Sequence, residues 1–184
     1  MSVYRPTKLD LENALDRTTE DLLDYDLKVL FCGINPGLYS AATGFHFARP
    51  GNRFWKVLHL AGFTDRQLDP SEEHELLGLG YGVTSLVSRT TSRADELTQE
   101  EYIRGGQILI RKIKKFHPRI VAVLGIGAFR TAFAQPTAKI GVQPEKINDT
   151  KIWLLPNPSG LNANYQVESF VELFTELKEA ALAA

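Results

Sequence analysis

Short apolar runs bounded by glycine or proline alternate along this chain with longer segments of helical period. Residues 27–33 (LKVLFCG), 119–125 (RIVAVLG) and 151–156 (KIWLLP) predict buried strands, being short, apolar and sharply bounded. Residues 82–87 (GVTSLV) predict a weaker fourth. Between them, Asn52 can cap a helix that runs through Leu60 and stops at Gly62. Thr98 with Glu101 forms a capping box that opens a helix over 99–116, whose Ile108, Ile110, Ile113 and Phe116 are expected in the core. A last helix is expected from about Tyr165 to Ala181. Strands alternating with helices predict an α/β three-layer sandwich, with helices on both faces of a central, mainly parallel four-stranded sheet.

A chain of 184 residues with 43% hydrophobic content fits one domain of this kind. Residues 1–26 read as an acidic, weakly helical extension around Leu11, Leu15, Leu22 and Leu23, with Thr7 as its cap, and residues 27–184 as the single domain. No internal repeat or low-complexity linker breaks the pattern. No apolar run reaches 18 residues, and the polar start MSVYRPTKLD lacks a secretory pattern, so a soluble, cytoplasmic protein is expected. One cysteine, Cys32, rules out an internal disulfide and cysteine-based zinc or iron–sulfur sites, and its apolar run predicts a buried thiol. His46, His59, His74 and His117 have no metal-ligand spacing.

Charge modifies this picture. The formal net charge is −1, yet residues 1–26 carry seven acidic and three basic side chains, and 165–184 carry four acidic groups against Lys178. The body from 27 to 164 is left with 17 basic and 11 acidic groups, enough for a basic face. Ordinary solvated charge is the alternative, and motifs must decide between the two.

In a parallel sheet ligands collect at the carboxyl ends of the strands, because the loops that leave them gather at one edge. Three loops meet that condition. Gly33-Ile34-Asn35-Pro36-Gly37 follows the first strand and leads into TGFHFARPGNRFW at 43–55; SRTTSRADEL occupies 88–97; Asn157-Pro158-Ser159-Gly160-Leu161-Asn162 follows the last strand. One Asn-Pro turn is usually a chain reversal. Two at equivalent strand ends, beside a Gly/Phe/Arg-rich loop, point to a site.

GINPG, TGFHFARPGNRFW and NPSGL, in this order and spacing, resemble the mismatch-specific uracil-DNA glycosylase family, which includes the thymine-DNA glycosylases. The resemblance covers residues 27 to about 175. It implies a uracil-DNA glycosylase fold, hydrolysis of the N-glycosidic bond with no metal or cofactor, and a double-stranded DNA partner carrying G/U or G/T mispairs, bound by a monomer.

Glycosidic cleavage makes a cationic sugar and an anionic base, so it needs a placed water on one side and donors to the base on the other. By resemblance Asn35 positions the water; an amide orients water but is no strong base. Phe47 resembles the aromatic on which the flipped base stacks, with backbone groups near Ile34 and Phe47 reading its polar edge. Packing in the core is the alternative for such aromatics, and is expected for Phe54 and Trp55. Gly37 stands where uracil-only relatives carry a bulky tyrosine, which implies room for a thymine methyl. Asn157 replaces a histidine as a neutral donor to the base. Leu161 resembles the wedge that fills the hole left by flipping, with Ser159, Gly160 and Asn162 around it. Arg53 is expected to hold phosphate, with Arg49, Arg89 and Arg93 as helpers. Asp95 lies near the place of an Asp-Leu pair in thymine-DNA glycosylases, although the spacing here is Asp95-Glu96-Leu97. It is expected either to assist the water or to be a solvated aspartate ahead of the Thr98 cap. Two rival readings remain: a nucleotide-binding α/β protein using the Asn35-Pro36-Gly37 loop and the Gly125, Gly127 pair for a phosphate, and a mismatch-binding module without catalysis.

Overall fold

The computed structural model describes residues 5–15 and 17–183. Residues 1–4 and 16 of the expected extension, and residue 184, lie outside the described residues. In chain order the elements are α1 (Lys8–Glu12), β1 (Val29–Gly33), α2 (Leu38–Thr43), α3 (Phe54–Leu60), α4 (Glu75–Leu79), β2 (Tyr81–Ser85), α5 (Gln99–Phe116), β3 (Ile120–Leu124), α6 (Ile126–Ala132), β4 (Gly141–Ile147), β5 (Thr150–Leu155) and α7 (Val167–Leu182). One sheet runs in the order β2-β1-β3-β5-β4. The first four strands are parallel, in the register Cys32 opposite Thr84 and Val123, and Ala122 opposite Trp153.

Side-chain alternation builds the layers. Val29 and Phe31 of β1, Ile120, Ala122 and Leu124 of β3, and Trp153 and Leu155 of β5 enter one core with Phe54 of α3 and Phe170 and Phe174 of α7. Leu30 and Cys32, Val121 and Val123, and Ile152 and Leu154 enter the other, with Leu109 and Ile113 of α5 and Phe129 of α6. Both faces of the parallel strands are thus covered, which explains why they read as unbroken apolar runs.

The four expected strands and the three-layer arrangement are present. The sheet differs by a fifth strand, β4, antiparallel to β5 at the edge. On α5 the buried stripe is centred on Gly105, Gly106, Leu109 and Ile113; Ile108, Ile110 and Phe116 are only partly covered. Before residue 27, Thr7 caps α1 through a capping box. Leu22, expected in the added segment, is 3% exposed, belongs to the core and bridges Val83 on the edge strand β2. Beside it Asp21 pairs with Lys112 and accepts a hydrogen bond from the Thr84 hydroxyl. Among the described residues no helix is long and apolar enough to cross a membrane.

Candidate active site

A cleft of about 430 Å³ opens at the carboxyl ends of β1, β2 and β5, the place where a parallel sheet gathers its loops. Ile34, Asn35, Gly37, Phe47, Asp95, Asn157, Ser159, Leu161 and Asn162 all line it, drawn from all three loops. Backbone pairing fixes the relation between the first two loops: Leu86 N–H donates to Gly33 O, Val87 N–H to Ile34 O and Thr91 N–H to Pro36 O.

Two asparagine amides face this cleft with opposite polarity, each set by a backbone group that leaves no choice of orientation. Asn35 Nδ2 lies 2.9 Å from Arg89 O and 2.7 Å from Thr91 Oγ1. A carbonyl only accepts, so the nitrogen must face it, and Oδ1 is left as an acceptor with no partner among the described residues. Asn157 is the converse. Its Oδ1 accepts from Ser159 N–H at 3.0 Å, which leaves Nδ2 as the available donor.

Phe47 lines the same cleft with its backbone in the left-handed region at φ 52°, uncommon for a bulky residue and maintained only where neighbours enforce it. Its flanks are pinned: His46 N–H donates to Glu73 Oε2 at 2.7 Å, and Ala48 N–H to Ser40 Oγ at 3.2 Å. One face of the Phe47 ring stacks on Phe54, with centroids 4.1 Å apart and planes 27° apart, and the ring edge lies against Gly33. The ring also lines the cleft. The backbone N–H groups of Ile34, Asn35 and Phe47 have no acceptor among the described residues. Phe54 and Trp55 are buried in the core as expected.

The loop after β5 carries Leu161, 68% exposed, at the rim of the cleft. Gly160 is required by close approach: a Cβ there would stand 2.6 Å from Gly51 O, so this loop rests on the turn before α3. Gly37 is open in the other sense, since a Cβ would meet nothing within 4 Å.

Arg53, expected to hold phosphate, does something else. Its guanidinium donates to Pro158 O, Tyr165 O, Ser159 O and Asn162 O, and its plane covers the Phe170 ring at 4.7 Å. Four of its five N–H groups are given to carbonyls, so in this structure Arg53 clamps the Leu161 loop. Arg89 forks onto Glu101, whose carboxyl is held down to about 2 by that pairing and by the Thr98 N–H. Arg93 pairs with Asp95. Arg49, exposed at the rim, has no partner among the described residues and is the free cation beside the cleft.

Asp95 reaches the cleft, but its side chain is 62% exposed and its carboxylate already faces Arg93. Cys32 is fully buried, and burial pushes its thiol up to about 12, opposed by Lys112 and reinforced by Asp21. Gly125 packs closely, since a Cβ would meet Ile34 Cγ1 at 2.9 Å; neither it nor Gly127 lines the cleft, so the glycine pair is not brought together with the Asn35-Pro36-Gly37 loop there. Sequence reasoning missed Thr19, Ser40, His46 and Thr91 as lining residues, and Glu73 behind them. Their only sequence signal is proximity to the motif loops, and Glu73 and Thr19 lack even that.

At the carboxyl edge of the α/β sheet, one cleft thus brings together an aromatic ring and two amides of opposite polarity. The family model of the uracil DNA glycosylase superfamily matches residues 20–178, and the chain belongs to that superfamily. It is therefore a hydrolytic DNA glycosylase with uracil as the base released.

Proposed function

We propose that this glycosylase is mismatch-directed and monofunctional, extruding uracil, and thymine or related bases, from pairs with guanine in double-stranded DNA. The observation that carries the reading is the opposed polarity of the Asn35 and Asn157 amides, both of which line the cleft with Phe47. A base stacked on the free face of Phe47 meets the Asn157 amide N–H₂ and the open backbone N–H groups at its oxygens. Asn35 Oδ1 accepts a hydrogen bond from a water on the sugar side. That water attacks C1′ as the bond from C1′ to the base nitrogen breaks; the bonding pair leaves with the base, and the water's proton passes to solvent or the departing anion. An amide takes up no proton, so the rate rests on how well the leaving base holds negative charge. This favours uracil and thymine over cytosine.

Mismatch preference follows from the cost of flipping, a few kcal/mol and least where pairing is already poor. Leu161 is the wedge, and Arg49 rather than Arg53 meets phosphate at the rim. The unfilled space at Gly37 supports tolerance of a 5-methyl group. Among the described residues no lysine lines the cleft, which supports the monofunctional reading, since a Schiff base with the sugar needs an amine.

Base release from duplexes carrying G/U, G/T and A/U pairs, and from the single strand, tests the proposal. Release is expected fastest from G/U, measurable from G/T, with no protein–DNA adduct trapped by borohydride. Equal rates on G/U and A/U contradict mismatch direction. Tight mismatch binding with no base released would make the chain a binding module.

A further inference from the structure

Behind the stacking ring lies a buried pair that the reaction above does not use. His46 is 4% and Glu73 3% exposed, and Glu73 Oε2 faces both the His46 N–H at 2.7 Å and the ring Nδ1 at 3.1 Å. The His46 carbonyl is held in turn by Trp55 Nε1 at 3.1 Å. Every polar group of His46 is thereby fixed except Nε2, which is buried without a partner although the residue lines the cleft.

Glu73 Oε2 already accepts the His46 N–H, so it meets the ring as an acceptor and Nδ1 carries the proton that faces it. A second proton on Nε2 would leave a buried cationic N–H without an acceptor, a costlier arrangement than a bare lone pair on a neutral ring. Nε2 is therefore an acceptor, on a ring that lines the cleft with its centroid 6.5 Å from that of Phe47. The ligand that completes it must bring an N–H on the edge of a stacked ring. Uracil and thymine carry such a group at N3. Cytosine carries a lone pair there, which an acceptor repels.

We infer that His46 is a specificity-determining residue that accepts a hydrogen bond from the N3–H of the flipped base, with Glu73 as the positioning residue that fixes its tautomer. This rests on the glycosylase reading above. It gives the site a second ground for sparing cytosine, beyond leaving-group quality, and it explains why an acid 27 residues away in sequence is buried behind the base pocket.

The test reads Nε2 directly. The ¹⁵N resonance of His46 Nε2 is followed as the protein binds a G-paired duplex carrying uracil on a 2′-fluoroarabinose sugar, which resists cleavage. The expected result is a shift towards the hydrogen-bonded range with uracil and none with 3-deazauracil, which has C–H in place of N3–H. In parallel, His46→Asn keeps a donor to Glu73 but has no atom at the Nε2 position, and should slow single-turnover uracil release at least about tenfold. His46→Gln, whose amide reaches that position, should recover part of the rate. The same Nε2 shift with both bases, no shift with uracil, or a wild-type rate for His46→Asn overturns the inference while leaving the glycosylase reading intact. A wild-type protein that releases no uracil from any duplex overturns both.

Discussion

Gly160→Ala perturbs the wedge loop without touching any group assigned to the base or the water. The new Cβ would lie 2.6 Å from Gly51 O and 3.2 Å from Gly51 C, whereas ordinary contact begins near 3.4 Å. The two loops must therefore part by about 0.8 Å, and both contacted atoms are backbone, so no side chain can swing aside. Parting is resisted by Arg53, which ties Pro158, Ser159 and Asn162 to the start of α3. Overpacking of this kind costs about 1–3 kcal/mol. For a chain of this size each kcal/mol lowers Tm by about 2–4 °C. A displacement near 1 Å at a site that positions reactants costs up to about 100-fold in rate. The expected variant is thus folded, loses roughly 2–12 °C in Tm, and releases uracil from a G/U duplex at least about tenfold more slowly in single turnover. Wild-type rate and Tm would refute the contact between the two loops and the role given to Arg53 in holding them.

Three further outcomes follow from other parts of the structure. Leu161→Ala removes an exposed side chain, so stability should hold while activity falls most on A/U, less on G/U and least in the single strand; an equal loss on every substrate would mean the leucine supports only its loop. Asp95→Asn should change the single-turnover rate less than about fivefold, since an exposed ion pair contributes about 0–1 kcal/mol; a fall of tenfold or more would make the carboxylate part of the chemistry. Cys32 should resist iodoacetamide at pH 8 until the protein unfolds. Because its folded thiol ionises near 12 against an ordinary 9.0, this group's contribution to stability is full below pH 9 and declines between 9 and 12, as urea midpoints across that range would show.

Much of this architecture was legible from local chemistry, and the exceptions share a cause. Strands β1, β3 and β5 are buried on both faces, so their apolar runs stand out, and the Thr98–Glu101 box marks the start of α5 to the residue. The segment GVQPEKI of β4 is mostly exposed at an edge and includes a proline, so nothing in its pattern announces a strand; pairing with β5 across the Asn148 turn makes it one. The cleft was legible as three loops at one sheet edge because parallel topology dictates where they converge. The clamp made by Arg53 was not legible, because the carbonyls that hold it lie 105 to 112 residues away in sequence. The His46–Glu73 pair was invisible for the same reason: tertiary contact, not spacing along the chain, gives it meaning.

In the proposed reaction Asn35 orients the attacking water while contributing little to holding DNA. Asn35→Ala, assayed for single-turnover uracil release from a G/U duplex and for affinity to a non-cleavable duplex of the same sequence, tests it most directly. The account predicts a rate at least about 100-fold lower with affinity within about threefold of wild type. Near-wild-type release, or a loss of affinity that matches the loss of rate, would contradict it.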